Sequence, residues 1–258
     1  WVNTVPHQAY WQQNFKGSDD GYNSHLPSVT DFPLEYAMVD AFVQDFGWKS
    51  GLMRLYYTLA QDHVYHEPNK NVIFLDNHDL ERFYTQIKED KEYFKMAYAF
   101  LMTTRGIPQV YYGTELMFEN KQGLGKDAGK RPDMPGGWPD DERSVFTEEG
   151  RTDTENEIFN FVRKLTQWRQ NAPVIHKGNL TQFIPQDNVY VYFRWNEKKT
   201  VMVVMNAAEE SKKMETDRFS ERMKGYTTAT DVISGKTFDS LKELNIGAKT
   251  ALILELEK

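Results

Sequence analysis

Apolar residues in the first two thirds of the chain follow two alternating rhythms. From Leu34 they recur at Ala37, Met38, Ala41 and Phe42, the spacing of one helix face, and Gly47 punctuates the run. A second helix is predicted beyond it, with Leu52, Leu55, Tyr56 and Leu59 turned inward. The unbroken apolar run Asn71-Val72-Ile73-Phe74-Leu75 then predicts a strand buried on both faces. A helix from about Lys91, with Phe94, Ala97 and Leu101 on its inner face, leads into Gly106-Ile107-Pro108-Gln109-Val110-Tyr111-Tyr112-Gly113. There glycines bracket another short strand, also expected to be buried. Strands alternating with helices in this way imply β/α units around a parallel sheet.

The pattern then changes. Glu119 to Arg151 is rich in Gly, Pro, Asp and Lys without periodicity, which marks a long loop of the kind that usually carries function. A helix follows, in which Thr154 and Glu157 have capping-box spacing and Ile158, Phe161, Val162, Leu165 and Trp168 line one face. After Pro173 the helical rhythm stops. Val189, Val191 and Phe193 alternate with Tyr190, Tyr192 and Arg194, and β-like runs recur at Val201–Met205, Thr227–Ile233 and Ala251–Leu256. Short strands separated by turns predict a small antiparallel sandwich. The expected division is residues 1–175 for the β/α part and 176–258 for the all-β part.

Composition narrows the chemistry. A net charge of −7 disfavours a nucleic-acid surface, which needs a concentrated basic face. Cysteine is absent, which excludes disulfides, thiolate metal sites and a Cys nucleophile and leaves the compartment open. No apolar run approaches the roughly 20 residues of a membrane span. The chain opens with Trp1 rather than Met, which reads as a processed product or an internal piece of a longer protein.

The chemistry is expected just past the first buried strand, at Asp76-Asn77-His78-Asp79, because residues beyond the C-terminal ends of barrel strands face the active site. A His beside an Asp can grip vicinal sugar hydroxyls, and such bonds tighten as the ring flattens toward an oxocarbenium ion. Taken alone, the same string is also ordinary turn and capping chemistry. Arg82 reads either as a hydrogen-bond donor to this site or as the partner of a neighbouring acid. Trp138 reads either as a plate stacked on a sugar or as a plug of the loop onto the barrel. Asp31 and Glu115, near strand ends, read more readily as structural acids than as catalysts. His63 and His66 lack a third ligand in register, so no metal is expected.

In combination, these strings resemble the α-amylase family of glycoside hydrolases. Phe74-Leu75-Asp76-Asn77-His78-Asp79 is similar to that family's strand-7 motif, and Gly106 to Glu115 is similar to its strand-8 motif, in the family's order and spacing. The resemblance implies the C-terminal part of a (β/α)8 TIM barrel, about strands 6–8, followed by the small antiparallel β-sandwich. It implies that His78 and Asp79 bind the sugar at the cleavage point, Asp79 as transition-state stabiliser. Asp127 and Arg131 have the spacing of the Asp-x-x-x-Arg pair that holds the next sugar, and Arg82 and Trp138 join the substrate-binding set. Asp133-Met134-Pro135-Gly136-Gly137-Trp138 is similar to the neopullulanase and cyclomaltodextrinase branch, and Val203-Val204-Met205-Asn206 resembles the core strand of its terminal domain.

Family members cleave with an Asp nucleophile after strand 4 and a Glu acid/base after strand 5, and neither motif is present. Relatives have a Trp two positions after that Glu, a place Trp1 would fit. Retention needs two carboxyls about 5 to 5.5 Å apart, and Asp79 alone does not replace them. The expectation is therefore a part of a retaining α-glucoside hydrolase acting on starch-derived glucans (maltooligosaccharides, cyclodextrin or pullulan) that is inactive by itself and needs no cofactor. The other reading is a non-catalytic carbohydrate-binding fragment. Three barrel strands leave unpaired edges, so self-association or association with the missing N-terminal part is expected.

Overall fold

A computed structural model describes residues 2–17, 20–122 and 125–258; Trp1 lies outside these residues. After the short helix α1 (Val5–Tyr10) comes α2 (Phe32–Val43), whose N-cap Asp31 accepts from the Leu34 N–H at 3.1 Å. Its buried face contains Leu34, Ala37, Met38, Ala41 and Phe42, the set that the periodicity picks out. Helix α3 (Met53–Ala60) buries Leu55 and Leu59 beside it. Then follow β1 (Val72–Phe74), α4 (Phe83–Gln86), α5 (Lys91–Thr103), β2 (Ile107–Gln109), α6 (Asp153–Gln170) and α7 (Pro173–Lys177).

Strands β1 and β2 pair in parallel, Val72 opposite Ile107, and Thr30 bridges Val72 from the other side. Gly106 makes the entry into β2 feasible: its φ is +101°, and a Cβ there would sit 2.8 Å from the Asn71 carbonyl. Below the strands, at their N-terminal ends, Arg105 is buried against Asp31 (2.5 Å) and Asp62 (2.6 Å). Asn71 and the Tyr65 hydroxyl also donate to Asp31, each at 3.3 Å. Asp31 is thus committed to an ion pair on the rim opposite Asp76–Asp79 and is no stand-in for a catalytic acid.

Two expectations change. Strand β2 is not buried: Ile107 is 53% exposed, because the side of β2 away from β1 has no strand partner among the described residues. The capping box of α6 lies one half-turn earlier than expected. Thr152 accepts from the Glu155 N–H (3.2 Å) and Glu155 accepts from the Thr152 N–H (2.7 Å). Both pairs share the same spacing, and it is the chain's exit from the loop at Thr152 that selects between them.

The rest is antiparallel. A six-stranded sheet has the order β3 (Asn179–Gln186), β4 (Val189–Trp195), β5 (Thr200–Asn206), β10 (Thr250–Glu257), β7 (Thr228–Asp231), β8 (Thr237–Phe238). A two-stranded sheet, β6 (Lys212–Glu215) and β9 (Glu243–Ile246), and the short α8 (Ser220–Met223) cover one face. The alternation in β4 therefore separates two cores rather than core from solvent. Val189, Val191 and Phe193 pack with Phe219, Leu244 and Ile246, while Tyr190 and Tyr192 pack with Phe100, Val162 and Leu165 of α5 and α6. Polar links reinforce this junction: Tyr192 is hydrogen-bonded to Thr103, the Tyr93 hydroxyl donates to the Ala207 carbonyl at 3.0 Å, and Lys249 reaches Asp90 at 2.8 Å. The C-terminal part of a β/α barrel thus carries a β-sandwich on its helical outside.

Candidate functional site

Leu75 ends the buried run, and the chain then turns on two side chains. Asp76 is buried; its Oδ2 accepts from the Phe83 N–H at 2.9 Å and its Oδ1 from the Thr114 hydroxyl at 2.6 Å. Burial raises its pKa, opposed by the bonds from Thr114 and Phe83 and the charge of Arg82. Asn77 Oδ1 accepts from the N–H groups of Asp79 (2.8 Å) and Leu80 (3.0 Å), an Asx turn that sends the next two side chains outward. His78 Nε2 stands 3.3 Å from Asp79 Oδ2, with side-chain exposures of 64% and 40%.

The long loop comes back over this turn. Arg131 donates through Nε to the His78 carbonyl at 2.8 Å, and its Nη2 lies 3.4 Å from Asp79 Oδ1. Lys130 donates to the Asp79 carbonyl at 3.2 Å and to Asp127 Oδ1 at 3.0 Å. Asp127 pairs with Lys130 and remains largely exposed. The bond from Lys130 lowers its pKa. Trp138 is exposed; its backbone N–H is held by Asp141 at 3.0 Å, and its ring has no aromatic or cationic partner among the described residues.

Arg82 is not at the surface. It is fully buried, donates to the carbonyls of Lys130 (2.8 Å) and Tyr112 (2.7 Å) and to Thr114 Oγ1 (3.3 Å), and lies 4.2 Å from the Tyr111 ring centroid. It makes no ion pair with an acid among the described residues and reaches the rim through the Lys130 carbonyl and, by way of Thr114, Asp76. A planar guanidinium with five donors suits a crossing where several carbonyls converge. It ties the ends of both strands to the long loop, and its own N–H donates to Asn120 at 2.9 Å.

The sequence pattern does not single out Lys130 or Glu35. Burial in α2 pushes Glu35 up to about 8, partly opposed by Gln86 at 3.4 Å, and its Oε2 has no hydrogen-bond partner among the described residues. Glu115 is also raised by burial, and its Oε2 has no hydrogen-bond partner among the described residues. The Asn-x-Asp string signals the Asx turn; nothing local signals Lys130 or Glu35. Among the described residues, no group of three His, Asp or Glu side chains is placed to hold a metal, and no helix is long and apolar enough to cross a membrane.

What the rim presents is a carboxylate, an imidazole and a guanidinium close together, open to solvent at the C-terminal end of a parallel strand. Such a set can accept from and donate to adjacent hydroxyls of a neutral ligand.

Residues 10–178 match the family described as alpha amylase, catalytic domain, and residues 180–255 match the cyclo-malto-dextrinase C-terminal domain. The cyclomaltodextrin glucanotransferase of Bacillus licheniformis is 29% identical over 216 residues, covering 84% of this chain and 27% of that protein. A maltogenic alpha-amylase from Bacillus acidopullulyticus is 29% identical over 192 residues, 71% of this chain and 29% of that one. In fold, the alpha-amylase from Geobacillus thermoleovorans complexed with acarbose superposes with a TM-score of 0.77 at 21% identity, covering all of this chain and 52% of that one. The partial barrel and its β-domain thus correspond to part of an alpha-amylase catalytic domain followed by its C-terminal domain. The chain belongs to the α-amylase family. It spans less than a third of the length of these curated relatives and about half of the solved one.

Proposed function

We propose that the rim formed by His78, Asp79 and Arg131 binds the sugar at the cleavage point of an α-glucan, in a retaining α-glucoside hydrolase of which this chain supplies one part. The observation that carries the reading is the placement of His78 and Asp79 side by side past β1, with Arg131 drawn onto both from the long loop. Asp79 accepts from ring hydroxyls and stabilises positive charge on the flattening ring. Asp127 and Trp138, both exposed on the same loop, extend contact to neighbouring sugars, while Arg82 acts from beneath by fixing the loop.

Starch-derived maltooligosaccharides, cyclodextrin and pullulan are the substrates of this reading. The nucleophile and the acid/base come from barrel strands outside these residues, so the chain alone binds without cleaving. The unpaired outer edge of β2 seats the N-terminal part of the barrel or a second copy. The working division places the barrel part at 1–175 and the β-domain at 176–258.

Calorimetry with maltotriose, combined with a reducing-sugar assay, tests this. Binding without product, weakened in His78→Ala, is expected; release of reducing sugar by the 258-residue chain overturns the claim of inactivity, and absence of binding overturns the site. Light scattering that gives a stable monomer of about the chain mass, 30.2 kDa, overturns the association.

A further inference from the structure

A second feature lies apart from the His78 rim. Between α2 and α3 the chain makes a tight turn in which Gly47 and Ser50 exchange N–H···O bonds of 3.4 and 3.3 Å. The Ser50 hydroxyl anchors it to the Asp45 carbonyl at 2.7 Å. Gly51 closes the turn at a φ of +61°, where a Cβ would lie 2.9 Å from the Phe46 Cα. At the tip stands Trp48, 81% exposed. Facing it is the hairpin between β3 and β4, whose turn residues Asp187 and Asn188 both have positive φ. Phe46, Trp48, Met53, Ile184, Gln186 and Asp187 line the hollow between the two turns, with a cavity volume of about 590 Å³.

We propose that this hollow is a second, non-catalytic binding site for an α-glucan chain, a reading that rests on the α-glucan assignment above. An indole held out at the tip of a rigid turn offers the apolar plate on which the C–H face of a pyranose stacks. The polar groups needed at the sugar's edge are in place. Gln186 Oε1 accepts from Arg218 at 2.6 Å, which fixes the amide and leaves its N–H groups to donate. The Asp187 carboxylate is exposed and has no ion pair among the described residues, so it is free to accept from hydroxyls. A volume within the range of about 300–1,000 Å³, at the junction of two structural layers, fits a small saccharide. A protein partner fits less well. The apolar side chains at the hollow are few against the roughly 20–30 residues a side of a stable interface. Because both turns are closed by their own hydrogen bonds, little conformational freedom is lost on binding.

The test uses the ¹⁵N-labelled 258-residue chain and maltoheptaose, with the Trp48 indole N–H signal assigned by its absence from Trp48→Ala. Maltoheptaose is expected to move that signal in the wild-type chain and equally in His78→Ala. By calorimetry, the double variant His78→Ala/Trp48→Ala binds at least about tenfold more weakly than His78→Ala alone, the equivalent of about 1.4 kcal/mol. Trp48→Ala melts with the wild type, since the side chain packs on little. An unmoved Trp48 signal, with His78-dependent binding retained, overturns the second site and leaves the α-glucan reading standing. No response to maltoheptaose anywhere overturns both. A Trp48 signal that moves with protein concentration and not with sugar assigns the face to self-association and overturns the proposal.

Discussion

Arg131 and Asp79, separated by 52 positions in sequence, meet at 3.4 Å over the end of β1, and the same guanidinium holds the backbone carbonyl of His78 at 2.8 Å. One long-loop residue thereby fixes both the charge environment of Asp79 and the path of the chain that carries it.

Arg131→Ala is expected to weaken maltotriose binding by about tenfold, read by calorimetry, while changing stability by less than about 1 kcal/mol. Both partners are near half-exposed, and pairs of that kind contribute little to folding. A large drop in melting temperature without loss of affinity would reverse the assignment of roles.

Asn77→Ala leaves the N–H groups of Asp79 and Leu80 without their acceptor. The expected cost is about 1 kcal/mol of stability, with a larger proportional loss of sugar binding as His78 and Asp79 lose their fixed direction. Asn77→Asp keeps an acceptor oxygen and should recover most of both, as measured by denaturant melts and calorimetry side by side.

Arg82→Met removes a buried guanidinium from the Lys130 and Tyr112 carbonyls and from Thr114. A loss of about 3 kcal/mol or more is expected, since buried acceptors are left unpaired and Asp76 loses its nearby positive charge. Limited proteolysis should locate the damage: cleavage within residues 119–151 accelerates before cleavage in the β-domain. Uniform acceleration across the chain would count against Arg82 as the loop's tether.

Glu35 ties stability to pH. Its folded pKa is raised to about 8 by burial, with Asp76 and Asp40 adding to the rise. Between its unfolded value, about 4.3, and about 8 the folded state holds a proton that the unfolded state has lost, so stability falls as pH rises through this window. Glu35→Gln removes that proton linkage, and the decline in melting temperature from pH 5 to 8 becomes shallower. Identical slopes for the two proteins would show that Glu35 titrates as an ordinary exposed acid.

Much of this molecule was legible one segment at a time. The inner face of α2, the buried run of β1, the Asx turn at Asn77 and the change to strand alternation after Pro173 follow from neighbours within a few residues, where spacing and side-chain chemistry decide the outcome. The sequence motifs likewise carried the family, because His78 and Asp79 are adjacent in the chain. Only the tertiary structure decided matters that depend on distant partners. Arg82 reads as a loop arginine but is buried under converging carbonyls. Asp127 turns to Lys130 while Arg131 turns to Asp79. The tyrosines of β4, which alternate with Val189, Val191 and Phe193, pack against α5 and α6 because a helical layer covers that face. Short-range spacing sets which way a side chain leaves the backbone; what it meets there is set by the packing of elements brought together from far apart in the chain.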